Sequence, residues 1–152
     1  MKILMVCLGN ICRSPAAQGV LESLAQGRSV NVEVDSAGTA AYHIGKAPDS
    51  RSISALRTVG IDISAQRARQ VSPSDFDRFD WVLAMDKENL KNLQRIAPAK
   101  SKAKVAMLGE YREGLAGGEV ADPYWDEQDG FVAMREHLTI LLTDFLEREV
   151  VN

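Results

Sequence analysis

The chain has little of what staples, ligates or anchors a protein. Among 152 residues there are two cysteines, two histidines and five prolines, and aromatic side chains make up 6%. Cys7 and Cys12 are too few for a disulfide framework, and His43 and His137 have no Cys/His spacing that would seat zinc. His43 falls in a loop, and His137, among Glu136, Leu138 and Thr139, reads as a surface or half-buried helix residue. No run approaches the ~20 apolar residues of a membrane span, and the opening Met1-Lys2-Ile3-Leu4-Met5-Val6 is too short for a signal peptide. No membrane association and a cytoplasmic, reducing setting are expected. Basic charge is not in excess either: 18 Lys and Arg stand against 21 Asp and Glu, a formal net charge of −3. Arg67, Arg69, Lys87 and Lys91 are interspersed with acids, so no broad positive field for nucleic acid forms. The Gly-x-x-x-x-Gly-Lys loop of nucleotide enzymes, internal repeats and low-complexity tracts are all missing.

What the chain does have is alternation. Lys2 to Val6 reads as a buried strand, Pro15 to Gln26 as a helix, and Val30 to Val34 as a second strand with period-two valines. A loop with Gly38 and Gly45 leads to a helix over Asp49 to Val59 ended by Gly60, and a short helix begins at Ser72-Pro73-Ser74-Asp75. Trp81 to Met85 is a third strand, Lys87 to Ile96 a helix, Val105 to Leu108 a fourth strand, Gly114 to Trp125 loop, and Gly130 to Glu149 a closing amphipathic helix. Alternating elements of this kind form a four-stranded parallel sheet covered by helices on both faces, an α/β class fold. A chain of this length buries roughly 70% of its unfolded surface, so residues 1–152 are read as a single domain. If strands two and three flank strand one, the order is 2-1-3-4 and the switch point lies at the end of strand one, where open α/β sheets bind ligands.

That end carries the most informative segment, Cys7-Leu8-Gly9-Asn10-Ile11-Cys12-Arg13, followed by Ser14 and Pro15. Consecutive amides in a tight loop can point inward as a nest, and Gly9 and Asn10 tolerate the left-handed conformations this requires. Ser14 as N-cap and Pro15 as first helical residue would aim a helix N-terminus into the same space, which favours an oxyanion. Arg13 adds a planar fork for two oxygens of a phosphoryl group. A helix N-terminus and a neighbouring Arg can lower a thiol pKa by ~1 to 5 units, so Cys7 is expected to be a thiolate that attacks phosphorus. The leaving oxygen then needs a proton. Asp122, in Asp122-Pro123-Tyr124-Trp125, is the candidate acid, with Pro123 restricting its backbone and Tyr124 and Trp125 as flat walls suited to an aryl phosphate.

The stretch Val6 to Pro15 together with Asp122-Pro123-Tyr124 resembles the low-molecular-weight protein tyrosine phosphatases. Asp35-Ser36-Ala37-Gly38-Thr39 and Ala68-Arg69-Gln70 extend the resemblance over essentially the whole chain. It implies the three-layer sandwich of phosphatase I type with the same strand order, and hydrolysis of phosphotyrosine through a phosphocysteine, with no cofactor and no metal. Carried over by residue, it makes Cys7 the nucleophile, Arg13 the transition-state clamp and Asp122 the acid and later base. Leu8, Gly9, Asn10, Ile11, Cys12 and Ser14 would complete the phosphate loop. Ser14 would also bond the thiolate, Asn10 and Ser36 would brace the loop, and Tyr42 would stand on the rim opposite Tyr124 and Trp125. Gln66 stands where many relatives have His. The implied partner is a phosphotyrosine protein, a tyrosine kinase by analogy, and the implied assembly a monomer or weak homodimer.

Rival readings exist. A Cys after an apolar strand is more often a small buried hydrophobe, an Asp before Pro often merely starts a turn, and Tyr42, Tyr124 and Trp125 could be surface packing. Arg13, Asn10 and Ser14-Pro15 tip the first of these toward catalysis. Cys12 is a loop residue, a second nucleophile or a redox partner that captures oxidised Cys7. Related activities are a phosphoarginine phosphatase, whose members carry Thr where Ile11 stands, an arsenate reductase, which needs further cysteines, and a phosphocysteine carrier that does not turn over.

Overall fold

A computed structural model describes residues 1–111 and 118–151. Part of the expected loop from Gly114 to Trp125 lies outside the described residues. Four parallel strands, β1 (Lys2–Cys7), β2 (Glu33–Gly38), β3 (Trp81–Ala84) and β4 (Lys104–Met107), form one sheet in the order β2-β1-β3-β4. Six helices accompany them among the described residues: α1 (Arg13–Gly27), α2 (Ser50–Arg57), α3 (Asp75–Arg78), α4 (Lys87–Ile96), α5 (Gln128–Phe145) and a π-turn extension over Leu146–Val151, with a 3₁₀ turn at Leu108–Tyr111 besides. None of the described helices is long and apolar enough to cross a membrane.

Strand alternation builds two cores. Ile3, Met5 and Cys7 of β1 face one side with Val20, Leu21, Leu56, Phe131 and Leu142, whereas Leu4 and Val6 face the other with Phe76, Phe79, Val82 and Leu93. The period of two in a strand sorts these residues. On the first side Trp81 meets Phe145 edge to face at 5.5 Å between ring centroids, which locks the closing helix over the sheet.

Element boundaries depart from the sequence expectation in informative places. β2 runs from Glu33 to Gly38 rather than from Val30 to Val34. The Val30 N–H still closes the exit of α1 by bonding Ala25 O, and pairing begins only where Glu33 N–H reaches Met1 O. Val30 and Val32 are half-buried against the core without being strand, and the more polar stretch Glu33–Gly38 is strand because it pairs with β1 as far as Cys7. α1 begins at Arg13, two residues before Pro15, with Cys12 as N-cap and no side-chain cap. Ser14 is therefore not the cap. Pro15 is the third helical residue, where its missing N–H has no intrahelical partner to lose. β4 begins one residue earlier than expected and ends at Met107, since Leu108 enters the 3₁₀ turn. α3 starts at Asp75, since the Ser72 to Ser74 stretch is a turn closed by Ser72 N–H on Asp75 Oδ2 at 2.8 Å. α2 stops at Arg57 and turns out at Gly60, whose φ of +81 is left-handed.

Candidate active site

β1 ends at Cys7 and α1 starts at Arg13, so the loop between them sits at the C-terminal edge of the sheet, between β2 and β3. Its carbonyls are held by four donors from two segments, the residues after β2 and the start of α2. Cys7 O accepts from Thr39 N at 2.9 Å, Leu8 O from Ala40 N at 3.0 Å, Ile11 O from Asp49 N at 2.8 Å, and Cys12 O from Ser52 Oγ at 3.0 Å. With the carbonyls so held, the N–H groups of Gly9, Asn10, Ile11 and Cys12 take no backbone acceptor among the described residues. Free amides in a loop that leads into a helix N-terminus are what an anion nest requires.

Asn10 adopts φ +57, the left-handed conformation expected of it. Gly9 does not. Its requirement is space: a Cβ there would lie 2.9 Å from His43 Cδ2. Gly38 is similarly confined, since a Cβ would come 2.7 Å from Leu8 O and 3.2 Å from Asn10 N. A Gly38→Ala chain is expected to unfold about 1–3 kcal/mol more easily and to bind orthovanadate more weakly, because the new methyl pushes on the nest itself. Thermal unfolding and a vanadate titration check both. Unchanged vanadate affinity would show that the loop yields to the methyl at no cost.

The proton directions around Cys7 follow from one fixed donor. Arg69 N–H donates to Asn10 Oδ1 at 2.9 Å, which orients the amide so that Nδ2 donates to Ser14 Oγ at 2.8 Å and to Ser36 Oγ at 2.9 Å. Ser36 Oγ then donates to Gln66 Oε1 at 3.4 Å, and Gln66 Nε2 to Pro15 O at 3.1 Å. Having accepted from Asn10, Ser14 has its own proton to give, and Cys7 Sγ lies 3.0 Å away, against 3.5 Å to Ala37 O. Ser14 N–H adds a second donor to the sulfur at 3.4 Å. Two donors of Ser14 thus converge on the sulfur.

Arg13 is 3% exposed. Nη1 donates to Asp86 Oδ2 at 2.5 Å and to Val120 O at 3.2 Å. The Nε and Nη2 edge has no acceptor within hydrogen-bond distance among the described residues, and Asp122 Oδ2 stands off Nη2 at 3.6 Å. Burial pulls the guanidinium pKa down, but negative charge on Cys7, Asp86 and Asp122 outweighs it and the net displacement is upward. Asp86 is itself fixed as N-cap of α4, with Oδ1 accepting from Asn89 N at 2.7 Å in a reciprocal capping box. Asp122 is half-exposed at the mouth, its Oδ1 accepting from Tyr124 N at 3.1 Å.

These groups border a cavity of about 320 Å³ lined by Cys7, Leu8, Gly9, Ile11, Cys12, Arg13, Tyr42, His43, Asp122, Tyr124 and Trp125. Cys7, Arg13 and Asp122 thus meet across chain separations that span most of the sequence. Asn10 and Ser14, expected among the substrate-contacting residues, are buried and do not line the cavity. Their side chains, with Ser36 and Gln66, stand behind it as the relay just described. Tyr42 and Trp125 are strongly exposed, and Tyr124 meets Trp125 edge to face at 5.0 Å. Burial, then the carboxylates of Asp49 and Asp122 and the sulfur of Cys7, push the Cys12 thiol pKa upward. Asp86 and Arg69 belong to the site but not to the sequence-derived set, and His43, expected in a loop, lines the cavity. Asp86 had a usable signal, an acid just past the end of a buried strand and at the head of a helix, and Arg69 lies in a stretch that carries the family resemblance.

The comparisons with known proteins agree with this geometry. A family model for the low molecular weight phosphotyrosine protein phosphatases matches residues 2–151. A phosphatase of that description from Schizosaccharomyces pombe is 42% identical over 86% of this chain and 85% of its own. The crystal structure of Primo-1 superposes with a TM-score of 0.93 at 36% identity, covering 97% of both chains. That of DARP, described as a drosophila arginine phosphatase, gives 0.91 at 32% identity, covering 97% of this chain and 96% of that one. The chain belongs to the low molecular weight phosphotyrosine protein phosphatase family.

Proposed function

We propose that Cys7, Arg13 and Asp122 of this protein tyrosine phosphatase carry the hydrolysis of phosphotyrosine in proteins through a phosphocysteine. The observation that supports this reading is the sulfur of Cys7, held by Ser14 Oγ at 3.0 Å and Ser14 N–H at 3.4 Å, within the same loop as the Nε and Nη2 edge of Arg13. In the first step the thiolate attacks phosphorus. An S–P bond forms, the P–O bond to the ring breaks, and Asp122 gives its proton to the departing phenolate. In the second, water attacks phosphorus, Asp122 takes back a proton, the S–P bond breaks and inorganic phosphate leaves. Charge that develops on the equatorial oxygens meets the nest and Arg13 Nε and Nη2, which need no reorganisation. Ser14 stabilises sulfur as leaving group.

The acid has a distinct signature. Asp122→Ala should lower kcat/KM on phenyl phosphate by about 10²–10⁴-fold, and much less on 4-nitrophenyl phosphate, whose phenolate departs without help. Equal losses on both substrates would remove Asp122 from the role. A phosphopeptide panel tests the substrate class. Residues 1–152 are taken as one such domain, acting in the cytoplasm on phosphotyrosine proteins, a tyrosine kinase among them. Phosphoarginine is the competing substrate because DARP has this fold, but Ile11 lines the cavity with an apolar side chain that has no hydroxyl to offer a guanidine. Comparing kcat/KM on the two phosphoamino acids decides between them. A trapped phosphoenzyme that discharges to water separates an enzyme from a carrier.

A further inference from the structure

The first turn of α2 touches both halves of the site. Toward the phosphate loop, Asp49 N–H donates to Ile11 O at 2.8 Å and Ser52 Oγ to Cys12 O at 3.0 Å. Toward the acid loop, Arg51 Nη1 donates to Asp126 O at 2.9 Å, and Arg51 O accepts from Gln128 Nε2 at 2.9 Å. Between these, the guanidinium is held in one plane. Its Nε and Nη2 form a fork on Asp49 Oδ1 and Oδ2 at 2.9 Å each, and its centre lies 4.4 Å from the Phe131 ring centroid and 5.8 Å from that of Tyr124.

Asp126 is in turn tied to the acid. Its N–H donates to Pro123 O at 2.8 Å, and Tyr124 N–H donates to Asp122 Oδ1 at 3.1 Å, so residues 122–126 form two interlocked turns. A displacement of Asp126 is carried to the carboxylate of Asp122. On the far side Asp126 lies close against Gly130, where an added Cβ would come 2.5 Å from Asp126 Cβ. The half-exposed Asp122 has no hydrogen bond of its own to the phosphate loop; its nearest charged neighbour there is Arg13 at 3.6 Å.

We infer that Arg51 is a positioning residue that sets the distance from Asp122 to the leaving oxygen, using α2 as a rigid spacer between nucleophile and acid. The inference rests on the assignment of Asp122 as general acid. Lys cannot replace this side chain, because a point charge cannot hold a carboxylate in a fork, stack on a ring and reach a carbonyl together.

The test is the dependence of kcat/KM on leaving-group acidity, measured on phenyl and 4-nitrophenyl phosphate for wild type, Arg51→Ala, Arg51→Lys, Asp122→Ala and the double variant Arg51→Ala/Asp122→Ala, with Arg135→Ala as control. Arg135 donates to Ala55 O at 2.7 Å, where it steadies α2, and does not reach the acid loop. The expected result is a loss of about 10- to 50-fold on phenyl phosphate and under about 3-fold on 4-nitrophenyl phosphate for both single Arg51 variants, within the range general acid catalysis allows. In the Asp122→Ala background the loss should vanish to within about 2-fold, as coupled residues require. Arg135→Ala should leave both substrates equal. Equal losses on the two substrates, or full additivity in the double variant, would overturn the role of Arg51 while leaving Asp122 in place. A flat leaving-group dependence in Asp122→Ala itself would instead overturn the acid, and the inference with it. If Arg51→Ala fails to fold, Arg51→Lys, which keeps the charge beside Asp49, decides alone.

Discussion

Cys7→Ser should lower turnover of aryl phosphates by at least about 10⁴-fold, the scale on which loss of a covalent nucleophile is felt, with the fold intact. The nest, the Ser14 donors and Arg13 all stabilise negative charge at the position of the sulfur, which a thiol can carry at neutral pH and an alcohol cannot. Nothing beside residue 7 compensates: Ser14 is a donor, Arg13 is a cation, and Asp122 sits at the mouth near Arg13 Nη2. A serine is smaller and keeps a hydrogen-bonding atom where Cys7 is 3% exposed. The thermal midpoint should therefore move by a few degrees at most, and the variant should still bind a phosphotyrosine peptide. Stopped assays with a labelled substrate would show no phosphoenzyme. Retention of more than about one part in a hundred of the activity would place the nucleophile elsewhere.

The phosphate loop was legible because its chemistry is local. Nucleophile, nest, left-handed Asn10 and Arg13 lie within one short stretch, and the strand before it and helix after it have strong patterns. Alternation pointed to a parallel sheet, the order 2-1-3-4 rested in part on the family resemblance, and the observed order β2-β1-β3-β4 bears it out. What the sequence hid is long-range or reciprocal. The valines at 30 and 32 pack on the core without entering the sheet, so period two marked burial and not pairing. Ser14 has the residue type of a helix cap, yet Asn10 and Cys7 claim its hydroxyl, and no local rule distinguishes those uses.

The buried ion pairs show the same limit. Asp75 is fully buried and meets Arg69, whose Nε and Nη2 also reach Asp35 at 3.2 and 3.0 Å. Burial pushes the Asp75 pKa up, but bonds from Arg69 and Ser72 outweigh it and bring it below the usual carboxylate range. That triad fixes the backbone of Arg69, and the Arg69 N–H fixes Asn10. An ion-pair network some way from the cavity thus orients the amide that orients Ser14. Ala68-Arg69-Gln70 carries a family resemblance in the sequence, and its physical basis is this chain of donors.

Arg13→Lys is expected to lower kcat/KM about 10³-fold, in the range measured when a preorganised oxyanion donor is removed, while hardly moving thermal stability. The asymmetry follows from how the guanidinium is divided. Nη1 holds Asp86 and Val120 O, and only the Nε and Nη2 edge is free for phosphoryl oxygens. A lysine ammonium can keep the contact with the half-buried Asp86, so that carboxylate stays paired and the penalty of an isolated charge does not arise. Having done so, it has no second pair of parallel donors to offer the transition state. Binding of orthovanadate, whose equatorial oxygens mimic that state, should weaken by far more than binding of inorganic phosphate, because only interactions stronger in the transition state accelerate the step. Titration of both anions against the variant, alongside kcat/KM, makes the comparison. Parallel losses for vanadate and phosphate would mean that Arg13 serves ground-state binding alone, and a loss in kcat/KM under about 10-fold would mean that the nest does the work without it.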